Sequence, residues 1–235
     1  MSEQKNVKRY NNINRHIRMF YGELCVFITF TAIAAFMIWH YYGYGSWALD
    51  NNLDNFMSSI RNPLLDIIFR VITYTGEGIS VGIIMTVMVV LFLYFKKSKE
   101  ATLITIYMLG VWSLNEILKD LIARPRPDIS FHLVKAIGFS MPSGHSMNFM
   151  AFMLLSLYFL WIHSRNKNMN INLTIIMLTY AILVGLSRVY LHVHYISDVI
   201  TGWSIGASCA VIAVVIHRVW SKNKMDDKPE RQYKP

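Results

Sequence analysis

Six apolar stretches, each about as long as a lipid bilayer is thick, constrain this chain more than any other feature. They cover residues 24–42, 79–95, 101–122, 147–163, 173–189 and 199–219. A backbone surrounded by lipid must satisfy its own hydrogen bonds, and an α-helix does so within one segment. We therefore predict an all-α fold, an integral membrane bundle of six transmembrane helices.

Composition supports one membrane domain rather than soluble domains. Hydrophobic residues make up 54% of the chain and charged residues 16%, against roughly 25% charged residues in soluble proteins. We expect a basic cytoplasmic tail at 1–22, a single transmembrane domain at 23–220 and a second cytoplasmic tail at 221–235. The two cysteines lie in apolar runs and indicate neither a disulfide framework nor a metal site.

The segment 53–75 is apolar but interrupted. Arg61, Pro63, Asp66 and Arg70 break it, so we interpret it as short helices lying at the membrane interface in the first outer loop. The role of residues 50–78 stays open at this point.

The net charge of +9 reflects membrane topology and gives no indication of nucleic-acid binding. Most of the 23 Lys and Arg residues lie in the two tails and in the loops near 96–99 and 165–167. The positive-inside rule places these parts, and so both termini, in the cytoplasm. The cations at the opposite ends of the spans then need a functional reason; they are Lys119, Arg124, Arg126 and Arg188.

The first block with chemical meaning begins on the last turn of the third span. Lys119 is followed by Arg124-Pro125-Arg126-Pro127, and the two prolines end the helix and fix an extended path. Arg126 can hold a phosphate through two parallel hydrogen bonds, and Lys119 can act as a point charge. For Arg124 two interpretations are open, contact with a second phosphate or exposure to solvent.

The second block, Pro142-Ser143-Gly144-His145, lies just before the fourth span. Ser143 is a typical helix cap, and Gly144 lets backbone N–H groups approach an oxyanion. A helix N-terminus favours anions through its free donors and its dipole. This block therefore predicts an anion site, with His145 at its rim to give or take a proton.

The third block contains Ser187-Arg188, His194 and Asp198. His194 and Asp198 are four residues apart, so on a helix they share a face. A carboxylate on one ring nitrogen fixes the tautomer and leaves the other nitrogen as a nucleophile. Arg188 adds a third cation.

Together the three blocks resemble the signature of the type-two phosphatidic acid phosphatase family, the membrane branch of the acid phosphatase and vanadium haloperoxidase superfamily. That signature is a Lys, six residues and Arg-Pro; then Pro-Ser-Gly-His; then Ser-Arg, five residues, His, three residues and Asp. The sequence matches it without a departure, and the resemblance extends over about residues 24–220. Within the family the chain looks most like bacterial phosphatidylglycerophosphate and undecaprenyl pyrophosphate phosphatases.

The resemblance implies a lipid phosphatase with an active site at the outer face. It implies that His194 attacks phosphorus and forms a phosphohistidine, that Asp198 orients His194, and that His145 protonates the leaving oxygen. The remaining residues of the blocks would hold the phosphate: Lys119, Arg126, Ser143, Gly144 and Arg188. The implied partners are membrane lipids and a lipid phosphate substrate such as phosphatidylglycerophosphate, undecaprenyl pyrophosphate or phosphatidate, and no nucleic acid.

Three cations and a helix N-terminus can neutralise a phosphoryl group without a metal. We see no carboxylate cluster suited to magnesium in the sequence, so we expect no cofactor and metal-independent activity. Two other functions remain open. A lipid-linked phosphotransferase would use the same residues with an acceptor in place of water, and a transporter would need the cations but not a nucleophile.

Overall fold

Helices form nearly all of the regular structure. A computed structural model describes the backbone of residues 2–226 and the side chains of residues 17–221, and over this part of the chain it shows no β-strand. The α-helices are α1 (Ser2–Tyr44), α2 (Ala48–Ser59), α3 (Pro63–Thr75), α4 (Gly78–Tyr94), α5 (Ser98–Ile122), α6 (Gly144–His163), α7 (Lys167–Tyr190) and α8 (Ile196–Asp226). A short 3-10 turn at Ile129–Phe131 lies between α5 and α6.

The predicted all-α membrane bundle is confirmed. Among the described residues, five helices are long and apolar enough to cross a membrane: Ile17–Tyr44, Ser98–Ile122, Gly144–His163, Lys167–Tyr190 and Ile196–Ser221. Helices α3 and α4, which meet at a bend of 49°, pass the same test only as a pair, so the count is five crossings, or six if this pair forms one broken span. The chain is therefore a multi-pass membrane protein.

The predicted segment boundaries compare closely with the helices except at the two ends. Helix α1 begins at Ser2, within the stretch that we interpret as a tail. Helix α8 continues to Asp226, and residues 227–235 of the second predicted tail lie outside the described part. The interrupted segment 53–75 becomes α2 and α3. The division into two tails and one domain stays a prediction.

Local signals explain where the helices begin and end. Asn62 caps α3 by accepting from Leu65 N at 3.0 Å, and Pro63 occupies the first position, where a missing N–H costs nothing. Helix α5 ends because Ala123 adopts a left-handed conformation with φ of 51° and Pro125 follows two residues later. The chain then leaves the helix axis and carries the Arg-Pro-Arg-Pro segment across the end of the bundle.

Helix α6 forms the centre of the bundle and packs against α5, α7 and α8. Its buried Phe149, Phe152 and Leu155 share one apolar cluster with Ile104 of α5 and Val184 of α7. This packing fixes the N-terminus of α6, which carries the second sequence block, relative to the ends of α5 and α7.

Two glycines let α8 lie directly against the first turns of α6. A Cβ on Gly202 would lie 2.7 Å from Ser143 O, and one on Gly206 would lie 2.5 Å from Met147 O. Both distances are shorter than real Cβ contacts allow, and the obstructing atoms belong to the backbone. Small residues spaced by four are typical of such close helix contacts in membranes. They bring the start of α8, with Asp198, close to the start of α6.

We predict that Gly206→Ala destabilises the protein and lowers its activity, because the added methyl group forces α8 away from α6. Overpacking of this kind costs about 1–3 kcal/mol. The matched control is Gly110→Ala on α5, where an added Cβ meets no atom within 4 Å and the better helix propensity of alanine favours the fold. Thermal unfolding in detergent measures both variants. Equal melting temperatures for the two would contradict the proposed close contact.

Candidate active site

All three sequence blocks meet at one end of the bundle, where α5 ends, α6 begins and α7 turns into α8. Two contacts join them directly. The backbone N–H of Ser143 donates to Asp198 O at 3.1 Å, and Arg126 Nη1 donates to Val193 O at 2.7 Å. The structure thus brings the predicted site residues into one cluster, although the blocks are far apart in the sequence.

His194 lies in the turn that joins α7 to α8, and Asp198 lies in the first turn of α8. The turn is held by Arg188 O, which accepts from the backbone N–H of Val193 at 3.1 Å and of His194 at 3.3 Å. Asp198 Oδ2 accepts from Tyr195 N at 2.9 Å and faces His194 Nδ1 at 3.5 Å. The His–Asp pairing predicted from the spacing is therefore present, but on a turn that enters a helix rather than within one.

The environment of His194 favours a neutral ring with its lone pair on Nε2. Burial lowers the pKa of His194 well below its usual value, and the neighbouring cations Arg126, Arg188 and Lys119 lower it further. Because Nδ1 faces the Asp198 carboxylate and the hydroxyl of Ser140 at 3.4 Å, we assign the proton to Nδ1. Nε2 then carries the lone pair and can act as a nucleophile near neutral pH.

Arg126 is held more tightly by the backbone than the sequence suggests. Its Nε donates to Gly138 O at 2.9 Å, its Nη2 donates to Ile137 O at 2.9 Å, and its Nη1 also lies 3.0 Å from His194 Nε2. Burial lowers the pKa of Arg126 below its usual value, but a guanidinium keeps its charge in proteins. The carbonyls fix this cation beside Nε2 of His194. They also occupy part of the N–H groups with which Arg126 is predicted to hold a phosphate.

The second block forms the N-terminus of α6, as its residue types predict. The buried Ser143 hydroxyl accepts from Ser146 N at 3.4 Å. A Cβ on Gly144 would lie 2.8 Å from Asn115 Oδ1 and 3.5 Å from Lys119 Nζ. The absence of a side chain at Gly144 therefore lets Asn115 and Lys119 of α5 lie this close to the helix end.

His145 and the other two cations surround the same end of α6. His145 Nε2 is buried and has no hydrogen-bond partner among the described residues, which is costly unless a ligand supplies one. Lys119 Nζ contacts Glu116 Oε1 at 3.1 Å, in agreement with the one-turn spacing. Arg188 is buried and donates from Nη1 to Thr73 Oγ1 at 2.6 Å. The α3 helix thus contributes a residue that holds one of the cations.

One of the two sequence-based interpretations of Arg124, exposure to solvent, is wrong. Its side chain is 1% exposed, so it does not face solvent, and it contacts the oxygen of Asp198 that does not face His194. Arg124 Nη1 contacts Asp198 Oδ1 at 2.6 Å, and Nη2 contacts Asp50 Oδ2 at 2.8 Å. These two carboxylates bind both terminal nitrogens, whereas the buried Nε has no hydrogen-bond partner among the described residues. Contact of Arg124 with a second phosphate therefore stays an untested prediction.

Sequence analysis missed four residues of this cluster. Ser140 donates to Asp198 Oδ2 in a very short contact, and Thr73, Asp50 and Ser197 bind the arginines or the carboxylates. No spacing rule links Asp50 to Arg124, which is 74 residues away.

Residues 99–222 match the family described as the PAP2 superfamily, and this stretch contains all three blocks. Phosphatidylglycerophosphatase B of Bacillus subtilis (strain 168) is 36% identical over 151 residues, which cover 63% of this chain and 72% of that protein. Dolichyldiphosphatase 1 of Plecturocebus moloch is 30% identical over 167 residues, which cover 66% of this chain and 67% of that protein.

A solved structure extends the similarity over most of the fold. The crystal structure of a transmembrane PAP2-type phosphatidylglycerolphosphate phosphatase from Bacillus subtilis is similar with a TM-score of 0.73 and 28% identity. The similarity covers 90% of this chain and 99% of that one. The resemblance inferred from the three blocks is therefore confirmed, and the chain belongs to the PAP2 superfamily.

Proposed function

We propose that this chain is a membrane phosphatase that hydrolyses the phosphomonoester or diphosphate of a lipid through a phosphohistidine on His194. One observation carries the proposal. Nε2 of His194 lies 3.0 Å from Nη1 of the fixed cation Arg126. The other ring nitrogen, Nδ1, lies 3.5 Å from Oδ2 of Asp198. A nucleophile, an orienting carboxylate and a fixed positive charge in contact are what phosphoryl transfer to a histidine requires.

The reaction proceeds in two displacements. His194 Nε2 attacks phosphorus, and the bond between phosphorus and the lipid oxygen breaks while His145 gives that oxygen a proton. Water then attacks the phosphohistidine and passes its proton to His145, and the phosphorus–nitrogen bond breaks. Inorganic phosphate leaves, and both histidines return to their starting protonation states.

The surrounding groups stabilise the charge that develops on the phosphoryl oxygens. Lys119, Arg126 and Arg188 supply three positive charges, and the N-terminus of α6 at Ser143 and Gly144 supplies oriented backbone N–H groups. Such fixed donors and charges lower the barrier because they need no rearrangement during the reaction. Since these groups can neutralise the phosphoryl group, the proposed reaction uses no metal or other cofactor.

The membrane position suits a lipid substrate. The cluster lies at the ends of the spans, near headgroup level, so a lipid can keep its apolar tail in the bilayer while its phosphate enters the site. The opposite ends carry Lys96, Lys97, Lys99 and Arg165, so the positive-inside rule supports cytoplasmic termini and a site at the extracytoplasmic face. Protease access to tags on either terminus in sealed vesicles tests this orientation.

The preferred lipid substrate is identified by experiment. One relative is named for phosphatidylglycerophosphate and the other for dolichyl diphosphate, so a substrate panel includes phosphatidylglycerophosphate, phosphatidate and undecaprenyl pyrophosphate. Product analysis with labelled phosphate separates hydrolysis from transfer to another acceptor, because hydrolysis releases inorganic phosphate and transfer does not.

We predict that His194→Ala lowers phosphate release from the panel by at least roughly 10³-fold, because the nucleophile is lost. The matched control is His163→Ala at the other end of α6, which should leave kcat unchanged within error. Purified protein in detergent and an inorganic phosphate assay measure both. Full turnover by His194→Ala would show that His194 is not the nucleophile and would favour a binding or transport function.

We predict that His145→Ala affects substrates according to their leaving group. Loss of the acid should lower kcat roughly 10²-fold or more for phosphatidate, whose alkoxide needs a proton. An aryl phosphate such as p-nitrophenyl phosphate, whose leaving group is stable without a proton, should be affected much less at the phosphorylation step. An equal loss of kcat/KM, which excludes the shared hydrolysis of the phosphohistidine, with both substrates would assign His145 to phosphate binding instead.

We predict that phosphate release continues at the same rate after treatment with excess EDTA, and that added magnesium does not raise it. The physical reason is that the three cations already neutralise the transferred group. A magnesium-dependent phosphatase assayed beside it verifies that the chelator is effective. Loss of turnover with EDTA and its recovery with magnesium would show that the proposed mechanism is incomplete.

A further inference from the structure

A buried chain of charges lies directly behind the proposed nucleophile. Arg124 sits between the ring of Tyr41 at 4.9 Å and the ring of Tyr195 at 4.2 Å. Its two terminal nitrogens divide between two carboxylates, Asp198 on one side and Asp50 on the other. The order along this chain is therefore Asp50, Arg124, Asp198 and His194.

Asp50 anchors the end of this series of charges that is farthest from His194. It belongs to α2 and is 1% exposed. Its Oδ1 accepts from Ser197 N at 2.9 Å, and its Oδ2 accepts from Ser197 Oγ at 2.8 Å. The same hydroxyl of Ser197 accepts from Arg124 Nη1 at 2.7 Å. These bonds leave the guanidinium one orientation, with Nη1 toward Asp198.

The contacts of Asp198 show how this orientation reaches the nucleophile. Its Oδ1 contacts Arg124 at 2.6 Å, whereas its Oδ2 binds Ser140 and Tyr195 N and faces His194 Nδ1. Holding Oδ1 on Arg124 therefore fixes Oδ2 toward the imidazole. A buried carboxylate without a cation would tend to take up a proton, and it would then attract His194 less.

The charge balance of this region also favours an ionised Asp198 that interacts with His194. Arg124 with two carboxylates leaves one net negative charge in a buried region, and a buried net charge is costly unless something compensates it. His194 gains positive charge when its nitrogen bonds to phosphorus, and it lies at the end of this chain. The net negative charge of Asp50, Arg124 and Asp198 therefore attracts the phosphorylated histidine more strongly than the resting one.

We propose that Arg124, locked in place by Asp50, is a positioning residue that holds Asp198 ionised and aimed at His194. The inference rests on the proposed phosphatase function and assigns the outer helix α2 a part in catalysis. Arg124 acts through Asp198, so it should influence kcat and leave phosphate binding by Lys119, Arg126 and Arg188 unchanged.

The first experiment compares Arg124→Met, Arg124→Lys and Asp50→Asn with the wild type on dioctanoyl phosphatidate in detergent. Loss of a bond to a charged group costs roughly 10- to 100-fold in rate, so kcat should fall by that factor or more in Arg124→Met. KM should stay within about twofold, since binding interactions are kept. Arg124→Lys should recover part of the loss because it restores the charge.

The decisive readout is non-additivity. In an Asp198→Asn background, Arg124→Met or Asp50→Asn should lower kcat by less than about threefold further, because residues that act as a unit are not additive. An equal loss in both backgrounds, or a selective rise in KM for a diphosphate substrate, would overturn the inference; the latter result would place Arg124 at a second phosphate.

Controls separate this inference from the proposed function. Arg61→Met removes another arginine of the outer region, which donates to Phe131 O at 2.9 Å, and should leave kcat unchanged. If Arg124→Met fails to give a monodisperse protein, the near-isosteric Asp50→Asn is compared in the wild-type and Asp198→Asn backgrounds instead. Absence of phosphate release by the wild type would refute the phosphatase proposal, whereas an active wild type with full kcat in Asp50→Asn would refute this inference alone.

Discussion

Asp198, fully buried in the first turn of α8, is the group on which the arrangement of this end of the bundle depends. Its backbone carbonyl accepts from Ser143 N at 3.1 Å and so ties α8 to the start of α6. Its side chain binds Arg124, Ser140 and the turn that carries His194. A buried carboxylate is stable only when such donors surround it. The need to satisfy this one group therefore draws the segments after α5, before α6 and after α7 into contact.

Helices α2 and α3 are part of this arrangement, although no role for them could be predicted from the sequence. Asp50 on α2 holds Arg124, and Thr73 on α3 holds Arg188 at 2.6 Å. A second link on α2 is the pairing of Asp54 with His192 Nδ1 at 2.7 Å, which turns His192 away from His194. Residues 50–78 thus serve as a scaffold for the cations and the turn of the site.

The parts that sequence reasoning predicts well are those set by local physics. The span 147–163 lies inside Gly144–His163, and 101–122 lies inside Ser98–Ile122, because apolar length and capping residues are read directly from the chain. The meeting of His194 with Asp198 follows from their spacing. Contacts such as Arg124 with Asp50, or Arg126 with the carbonyls of 137 and 138, depend on how distant segments pack. One sequence carries no local signal for them.

The most direct test of the account is to trap the phosphorylated enzyme. Rapid mixing with ³²P-labelled phosphatidate, followed by a denaturing quench in base, should leave label on the protein that is stable in base and released in acid. Peptide mapping should place it on His194. Label that is absent in an active preparation, or that maps to a residue outside this cluster, would contradict the proposed nucleophile.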